Sequence, residues 1–324
     1  MKKLLCTLLC ALLCLAALPS FAEEKPVFLL RQSDYMKSLG YEDVALDHVP
    51  ERVACMTTYP FRTLYELGVN FVAVAETSTF EYPEEIKPLV MPAVMSSTFD
   101  LEGIVALEPD LVLLPDSAMA THGATLQELG IPVFAVTTKE PDQDVYTTVK
   151  NQTEAYIEAF AQDETALAAA EEIRAGFAAL DARIGEGNER YAGKTFFGAT
   201  CVSGTDFYLQ AQTSTVSSMM QLLGFTNIYA ESMGDTNAPA SLETFADVES
   251  DLFVFTSRGT TTVEDAEAFC TECMAANQAL WDTVPAVSRG DVLYLPSGYV
   301  VTAGLNIVDN LGALIDILDA HFAA

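Results

Sequence analysis

The sequence predicts an α/β protein of two similar halves, each built on a central parallel sheet, with a long helical stretch between them. Three observations predict this. Short continuous apolar runs alternate with longer amphipathic ones, the pattern of strands covered by helices on both faces. Residues 142–184 are almost free of Gly and Pro, with apolar residues recurring at helical spacing. After Gly185, Gly187 and Gly193 the strand–helix alternation resumes. The 324 residues, half of them apolar, suffice for two cores of roughly 150 residues each.

In chain order, 52–56 reads as a strand, 63–67 as a helix ending at Gly68, and 70–75 as a second strand. A short helix over 101–107, a strand over 110–115, a helix over 120–129 stopped by Gly130 and a strand over 131–136 complete the first half. In the middle, Val145, Val149, Ala155, Ile157 and Phe160 define one helix. Asp163 caps another, with Ala166, Ala169, Ile173, Phe177 and Leu180 on one face. The second half has strands over 195–200, 252–256 and 291–295, and helices over 214–223, 263–276 and 303–321.

Lys2 and Lys3, the apolar run 4–18 and Ser20-Phe21-Ala22 form a signal peptide, with cleavage expected after Ala22. Cys10 and Cys14 follow leucines, which disfavours a lipid anchor, so a soluble periplasmic protein is expected. Sixteen Lys and Arg stand against 46 Asp and Glu, a net charge of −30. Such a charge excludes nucleic acid as a partner and disfavours an anionic membrane surface.

Maturation leaves four cysteines. Cys55 and Cys201 are expected as buried thiols. Cys270-Thr-Glu-Cys273 is a C-x-x-C, and in an exported chain a local Cys270–Cys273 disulfide is the expected state. A zinc site would need two further ligands that nothing nearby offers. The chain lacks a phosphate loop, a G-x-S-x-G and an H-E-x-x-H, and its three histidines lie far apart. No catalytic residue, resident metal or cofactor is therefore assigned.

Several motifs resemble the binding proteins that deliver iron-siderophores, haem and cobalamin to ABC importers. Pro50-Glu-Arg-Val53 and Tyr65-Glu-Leu-Gly68 resemble the family's opening. Residues 99–112, Phe-Asp-Leu-Glu-Gly-Ile-Val-Ala-Leu-Glu-Pro-Asp-Leu-Val, match its "nlE-x-I-x-x-L-x-P-D-L-V" segment, and Leu129-Gly-Ile-Pro-Val-Phe134 its next strand. Ser241-Leu-Glu243 before residues 251–255, and Trp281 to Leu295, resemble the second-lobe counterparts.

The resemblance implies two Rossmann-like lobes bridged by one long α-helix, with the ligand between them. Residues 23–142 would form the N-terminal lobe, 143–163 the interlobe helix and 164–324 the C-terminal lobe. It implies a monomer that carries a metal chelate, foremost a ferric siderophore, with haem or cobalamin as alternatives. A periplasmic chelatase-like enzyme on the same fold is the reading from a different class. Glu102 and Glu243 would dock on arginines of the inner-membrane permease.

Ligand contacts are expected in loops after the carboxyl ends of strands. Arg62 and Arg258 suit an anionic chelate. Tyr59, Phe80 and Tyr82 suit stacking on a flat ligand or, for the two tyrosines, phenolate coordination, and Tyr299 is a further candidate contact. Met119 and His122 are candidate axial haem ligands.

Overall fold

The computed structural model describes residues 27–203, 206–229, 237–240, 242–246, 248–302 and 304–323. The expected leader lies outside them. The described chain begins with β1 (Phe28–Leu30), α1 (Asp34–Ser38) and β2 (Val44–Leu46), with β1 and β2 paired antiparallel. Three-residue strands carry too few residues to reveal a period of two, so the hydrophobic pattern does not announce them.

The first lobe then follows the expected alternation. It contains β3 (Val53–Cys55), α2 (Phe61–Glu66), β4 (Phe71–Ala75), β5 (Val90–Met91), α3 (Leu101–Ala106), β6 (Leu111–Pro115), α4 (Ala124–Glu128) and β7 (Val133–Val136). The sheet order is β5-β4-β3-β6-β7, parallel throughout. All of β3 and β7 and the first four residues of β6 are buried. The helix expected over 120–129 opens instead as a π-turn, Met119–Gly123, before α4 begins.

Two helices follow. In α5 (Val145–Phe160) the Asp144 carboxylate accepts from Thr147 N at 2.8 Å. In α6 (Glu164–Tyr191) Asp163 accepts from Ala166 N at 2.8 Å. Both are side-chain N-caps that satisfy a helix's orphan donors.

The second lobe contains β8 (Thr195–Ser203), β9 (Asp206–Leu209), α7 (Thr215–Leu222), β10 (Thr226–Asn227), β11 (Ala238–Ala240), β12 (Leu252–Ser257), α8 (Val263–Ala275), α9 (Gln278–Trp281), α10 (Pro285–Arg289), β13 (Val292–Leu295) and α11 (Asn306–Ala323). Its main order is β11-β9-β8-β12-β13, with β10 also on β8. Its centre is parallel, as expected, and its β9–β11 side is antiparallel. β8, β10, β12 and β13 are parallel, but β9 runs antiparallel to β8 and β11 antiparallel to β9. Only two residues separate β8 from β9, too few for the crossover a parallel pair needs.

The core explains how the lobes are held. Alternate residues of β8 and β12 face opposite ways. Phe196 and Val254 join a large central cluster, while Phe197 and Phe253 join an outer one around Trp281. The first sheet divides likewise, with Ala54, Met56, Val112 and Leu114 on its other face. The central cluster is continuous. It runs from Val53 and Phe61 through Tyr146, Val149 and Ile157 of α5 to Phe177, Phe196 and Val216.

Polar contacts follow the same path. Thr63 and Thr153 hydroxyls lie 3.5 Å apart on the first-lobe side. Val145 N donates to Ser218 Oγ at 3.2 Å on the second-lobe side. α5 is therefore a bridge embedded in both lobes.

A shared core predicts shared melting. Ile157→Ala, at a position 2% exposed, should cost about 2–5 kcal/mol. Urea unfolding followed by Trp281 fluorescence, which reports the second lobe, and by far-UV circular dichroism should give one coincident transition in both proteins. Separate transitions would mean that the lobes do not share a core.

Candidate ligand cleft

The carboxyl ends of β3, β4 and β7 and the segment after β13 converge where the lobes meet. Directly after β3, Met56 and Thr57 are buried and Tyr59 stands half-buried before α2. Gly304, at φ +49°, packs against it. A Cβ on Gly304 would fall inside the van der Waals envelope of the Tyr59 carbonyl oxygen. A residue with a side chain would be excluded there both by this contact and by the left-handed backbone.

Beside this contact, Arg62 spans the junction. It donates to Glu66 Oε1 at 2.8 Å within α2 and to Asn306 Oδ1 at 3.0 Å on α11, and it also pairs with the Asp309 carboxylate. Partial burial disfavours its charge, but Glu66 and Asp309 outweigh that and hold its pKa above the usual arginine range. The guanidinium is thus engaged by protein carboxylates from both lobes.

Cavities open on either side. The larger, of 610 Å³, lies between Tyr59, Lys139 and Gln143 on one wall and Gln212, Ser214, Gln221 and Asn237 on the other. Its volume is in the range of small-molecule sites. The wall amides are oriented by backbone. Gln221 Nε2 donates to Gln212 O at 2.8 Å and to Ser217 O at 3.0 Å, and Asn237 Oδ1 accepts from Ala211 N at 2.7 Å. The smaller cavity, of 170 Å³, is lined by Phe80, Val301, Asn306 and Asp309 among others.

Tyr59 and Phe80 thus line cavities at the junction, and Arg62 crosses it. The other expected contacts lie elsewhere. Tyr82 is core: it is 8% exposed, sits edge-on to Phe61 at 4.6 Å, and donates its hydroxyl to Ala75 O. Burial, with Cys55 nearby, pushes its pKa up, so it is not poised as a phenolate. Tyr299 is also core, 5% exposed, with its pKa pushed up to about 12 by burial.

Met119 belongs to the cluster on the far face of the first sheet. His122 leans on Phe99, ring centroids 4.7 Å apart. Neither lines the two junction cavities. Arg258 is exposed just past β12. The amides of the larger cavity were not foreseen. Their signal in the sequence is the polar run Gln210-Ala-Gln212-Thr-Ser214 that separates an apolar strand from an apolar helix.

Glu102 lies in the first turn of α3 and Glu243 in the first turn of a 3₁₀ segment, Leu242–Phe245; both are exposed. Glu102 stands nine residues before Leu111, the start of β6, and Glu243 nine before Leu252, the start of β12. β6 and β12 occupy the same place in their sheets, second from the β7 or β13 edge. The two carboxylates are therefore at matching positions of the two lobes.

Cys270 and Cys273 are buried and not joined to each other by a disulfide. The expected local disulfide is corrected by their place in the interior of α8. Side chains three apart on a helix have Cβ atoms about 5–6 Å apart, whereas a disulfide needs about 3.5–4.5 Å. Among the described residues no three His, Cys, Asp or Glu side chains form a group able to hold a metal ion. No helix among them is long and apolar enough to cross a membrane.

Two α/β lobes around a polar cleft, joined by an embedded helix, define a two-lobed binding protein. Residues 53–299 match the family model described as periplasmic binding protein, and the chain belongs to that family.

Solved structures share the fold. PiuA, an iron uptake ABC transporter substrate-binding protein of Streptococcus pneumoniae, superposes with a TM-score of 0.65 at 22% identity, covering 89% of this chain and 96% of that one. The vitamin B12 binding protein BtuF of Vibrio cholerae gives 0.60 at 20%, covering 85% and 99%. A cobalamin-binding protein of Halobacterium salinarum is 33% identical over 93 residues, 28% of this chain and 25% of that protein. A substrate-binding lipoprotein of Bacillus subtilis, YvrC, is 26% identical over 112 residues, 34% of this chain and 35% of that one. The matches thus span about a quarter to a third of these two curated relatives.

Burial of the cleft phenol has a pH consequence. The Tyr59 and Tyr299 pKa values, both pushed up to about 12 by burial, exceed the value near 10 expected when unfolded. Between those values the unfolded chain loses protons that the folded chain keeps, so stability falls as pH rises above about 10. Tyr59→Phe should flatten that decline, read as melting temperature against pH from 9 to 11.

Proposed function

We propose that this protein is the substrate-binding component of an ABC importer and captures a ferric siderophore between its lobes. The observation that carries the reading is the 610 Å³ junction cavity, walled by amides and hydroxyls and placed at the carboxyl ends of strands. Its action is capture without bond chemistry. The lobes enclose a preformed chelate, and the embedded α5 permits only small closure.

The walls also speak to the chelate's charge. Arg62 is engaged by Glu66 and Asp309, and among the described residues Lys139 is the one cationic residue lining the larger cavity. A chelate with little net charge, such as a ferric hydroxamate, fits better than a polyanionic catecholate. The second reading is cobalamin, favoured by the amide-rich wall, which matches a ligand that itself carries many amides. Haem is less favoured, since Met119, His122 and Tyr82 lie away from the cavity.

Glu102 and Glu243 support the importer half of the proposal. Exposed carboxylates at matching positions of two lobes can meet two basic sites on a permease and fix its orientation. The lobe boundaries near 142 and 163 belong to the same reading, with α5 as the bridge.

Titration with a ferric hydroxamate, a ferric catecholate, haem and cyanocobalamin tests the ligand. Energy transfer from Trp281 to a coloured chelate reports binding. Saturable quenching by the hydroxamate with Kd below about 1 µM, roughly −8 kcal/mol, is expected. Quenching by none of the four would sink the proposal. Double charge reversal, Glu102→Lys with Glu243→Lys, should leave that Kd unchanged and abolish uptake in cells. Uptake that survives would remove the docking role.

A further inference from the structure

The first sheet ends at β7, and the β1–β2 ribbon does not pair with it. A cavity of 330 Å³ opens in the gap, between the segment after β1, the β7 edge and one face of α5. Among the described residues, none that lines it also lines either junction cavity. Its volume is at the low end of the range for small-molecule sites. One side is apolar and buried: Met36, Phe134 and Tyr156, with the last two rings edge-on at 6.3 Å.

The charges around this cavity are unbalanced. Arg31 and three glutamates line it. Arg31 Nη1 donates to Glu158 Oε2 at 2.7 Å. Glu154 accepts at 3.0 Å from Arg174, which stands outside the lining. Glu140 differs. It is 6% exposed, its carboxylate accepts from the neutral amide of Gln143 at 3.3 Å, and among the described residues no Lys, Arg or His pairs with it. A buried carboxylate is costly without a counter-charge, and here the protein supplies none.

We infer that this cavity is a second ligand site, taking a small primary amine with an apolar body. The ammonium meets Glu140, and the body rests against Met36, Phe134 and Tyr156. An ammonium brings three donors and no acceptor, and the polar wall suits that. Gln32 Nε2 donates to Ala135 O at 3.0 Å and Gln152 Nε2 to Thr137 O at 2.8 Å. These bonds fix both amides, and among the described residues neither amide oxygen has a protein donor. A metal ion is the poorer occupant, since no three His, Cys, Asp or Glu among the described residues form a group able to hold one. An anion is excluded by Glu140 itself. The site does not depend on what the junction cavity holds.

The test is calorimetric titration of the purified protein with phenethylammonium chloride at pH 7. Salt at about 0.15 M screens the acidic surface, so that scattered surface binding does not mimic a site. Saturable one-to-one binding with Kd of about 1 mM or tighter is expected. 2-Phenylethanol, which keeps the ring and loses the charge, should bind at least about tenfold more weakly, as should phenethylammonium to Glu140→Gln. That substitution can still accept from Gln143, and it is preferred to a change at Gln143, which also lines the larger junction cavity. Ala155→Leu, which fills the cavity from α5 without touching Glu140's charge, should weaken binding likewise and decides the matter if Glu140→Gln fails to fold. No saturable binding would overturn the inference. Equal affinity for 2-phenylethanol, or an unchanged Kd in either folded variant, would also overturn it.

Discussion

Everything in this molecule depends on the apolar cluster that passes through α5. Tyr146, Val149 and Ile157 pack into a core whose other members come from both sheets. Burial of apolar surface is worth roughly 25 cal/mol per Å², so a rotation that parted the lobes along α5 would expose core as well as break hydrogen bonds. Thr63–Thr153 on one side and Val145–Ser218 on the other hold the same helix by polar contacts. The cleft is accordingly positioned by the core beneath it. Its loops, Tyr59 against Gly304 and Arg62 against Asp309, are the visible end of an alignment established below.

Charge is distributed unevenly around this frame. The chain carries a large acidic excess, yet many of its arginines are tied to carboxylates: Arg31 to Glu158, Arg174 to Glu154, Arg183 to Asp316, Arg190 to Asp319 and Arg289 to Asp291. Exposed pairs of this kind contribute little individually, about 0–1 kcal/mol. Their main effect is that few cations remain to face a ligand. Arg62 differs because its partners come from both lobes. Its pairing converts a potential anion-binding group into a contact between lobes, and the remaining cleft polarity is mostly neutral.

The architecture was legible in the sequence wherever a local pattern had one physical meaning. β3, β6, β7 and β12 are continuous apolar runs, and Asp163 caps α6 as its spacing implied. β5 and β10, of two residues each, and β11, of three, hold too little sequence to show a period, and β9 forms a hairpin with β8 whose direction follows from a short connection. The site was legible only as loops. Which face of a loop meets the other lobe depends on packing, so Tyr82 and Tyr299 turned into the core while Gln212 and Gln221 turned into the cavity. The C-x-x-C was misread because sequence spacing alone does not tell a loop, where neighbours can bond, from a helix interior, where they diverge.

A bridge buried in both halves leaves little outward difference between the empty and the occupied protein. A membrane partner that touches only Glu102 and Glu243 would find them nearly the same distance apart in either case. Recognition of a filled carrier would then have to come from the mouth of the cleft, through what the cargo itself presents there. On the docking role proposed for these two carboxylates, the empty form would compete for the same landing site, and a cell that made too much of it would slow its own uptake.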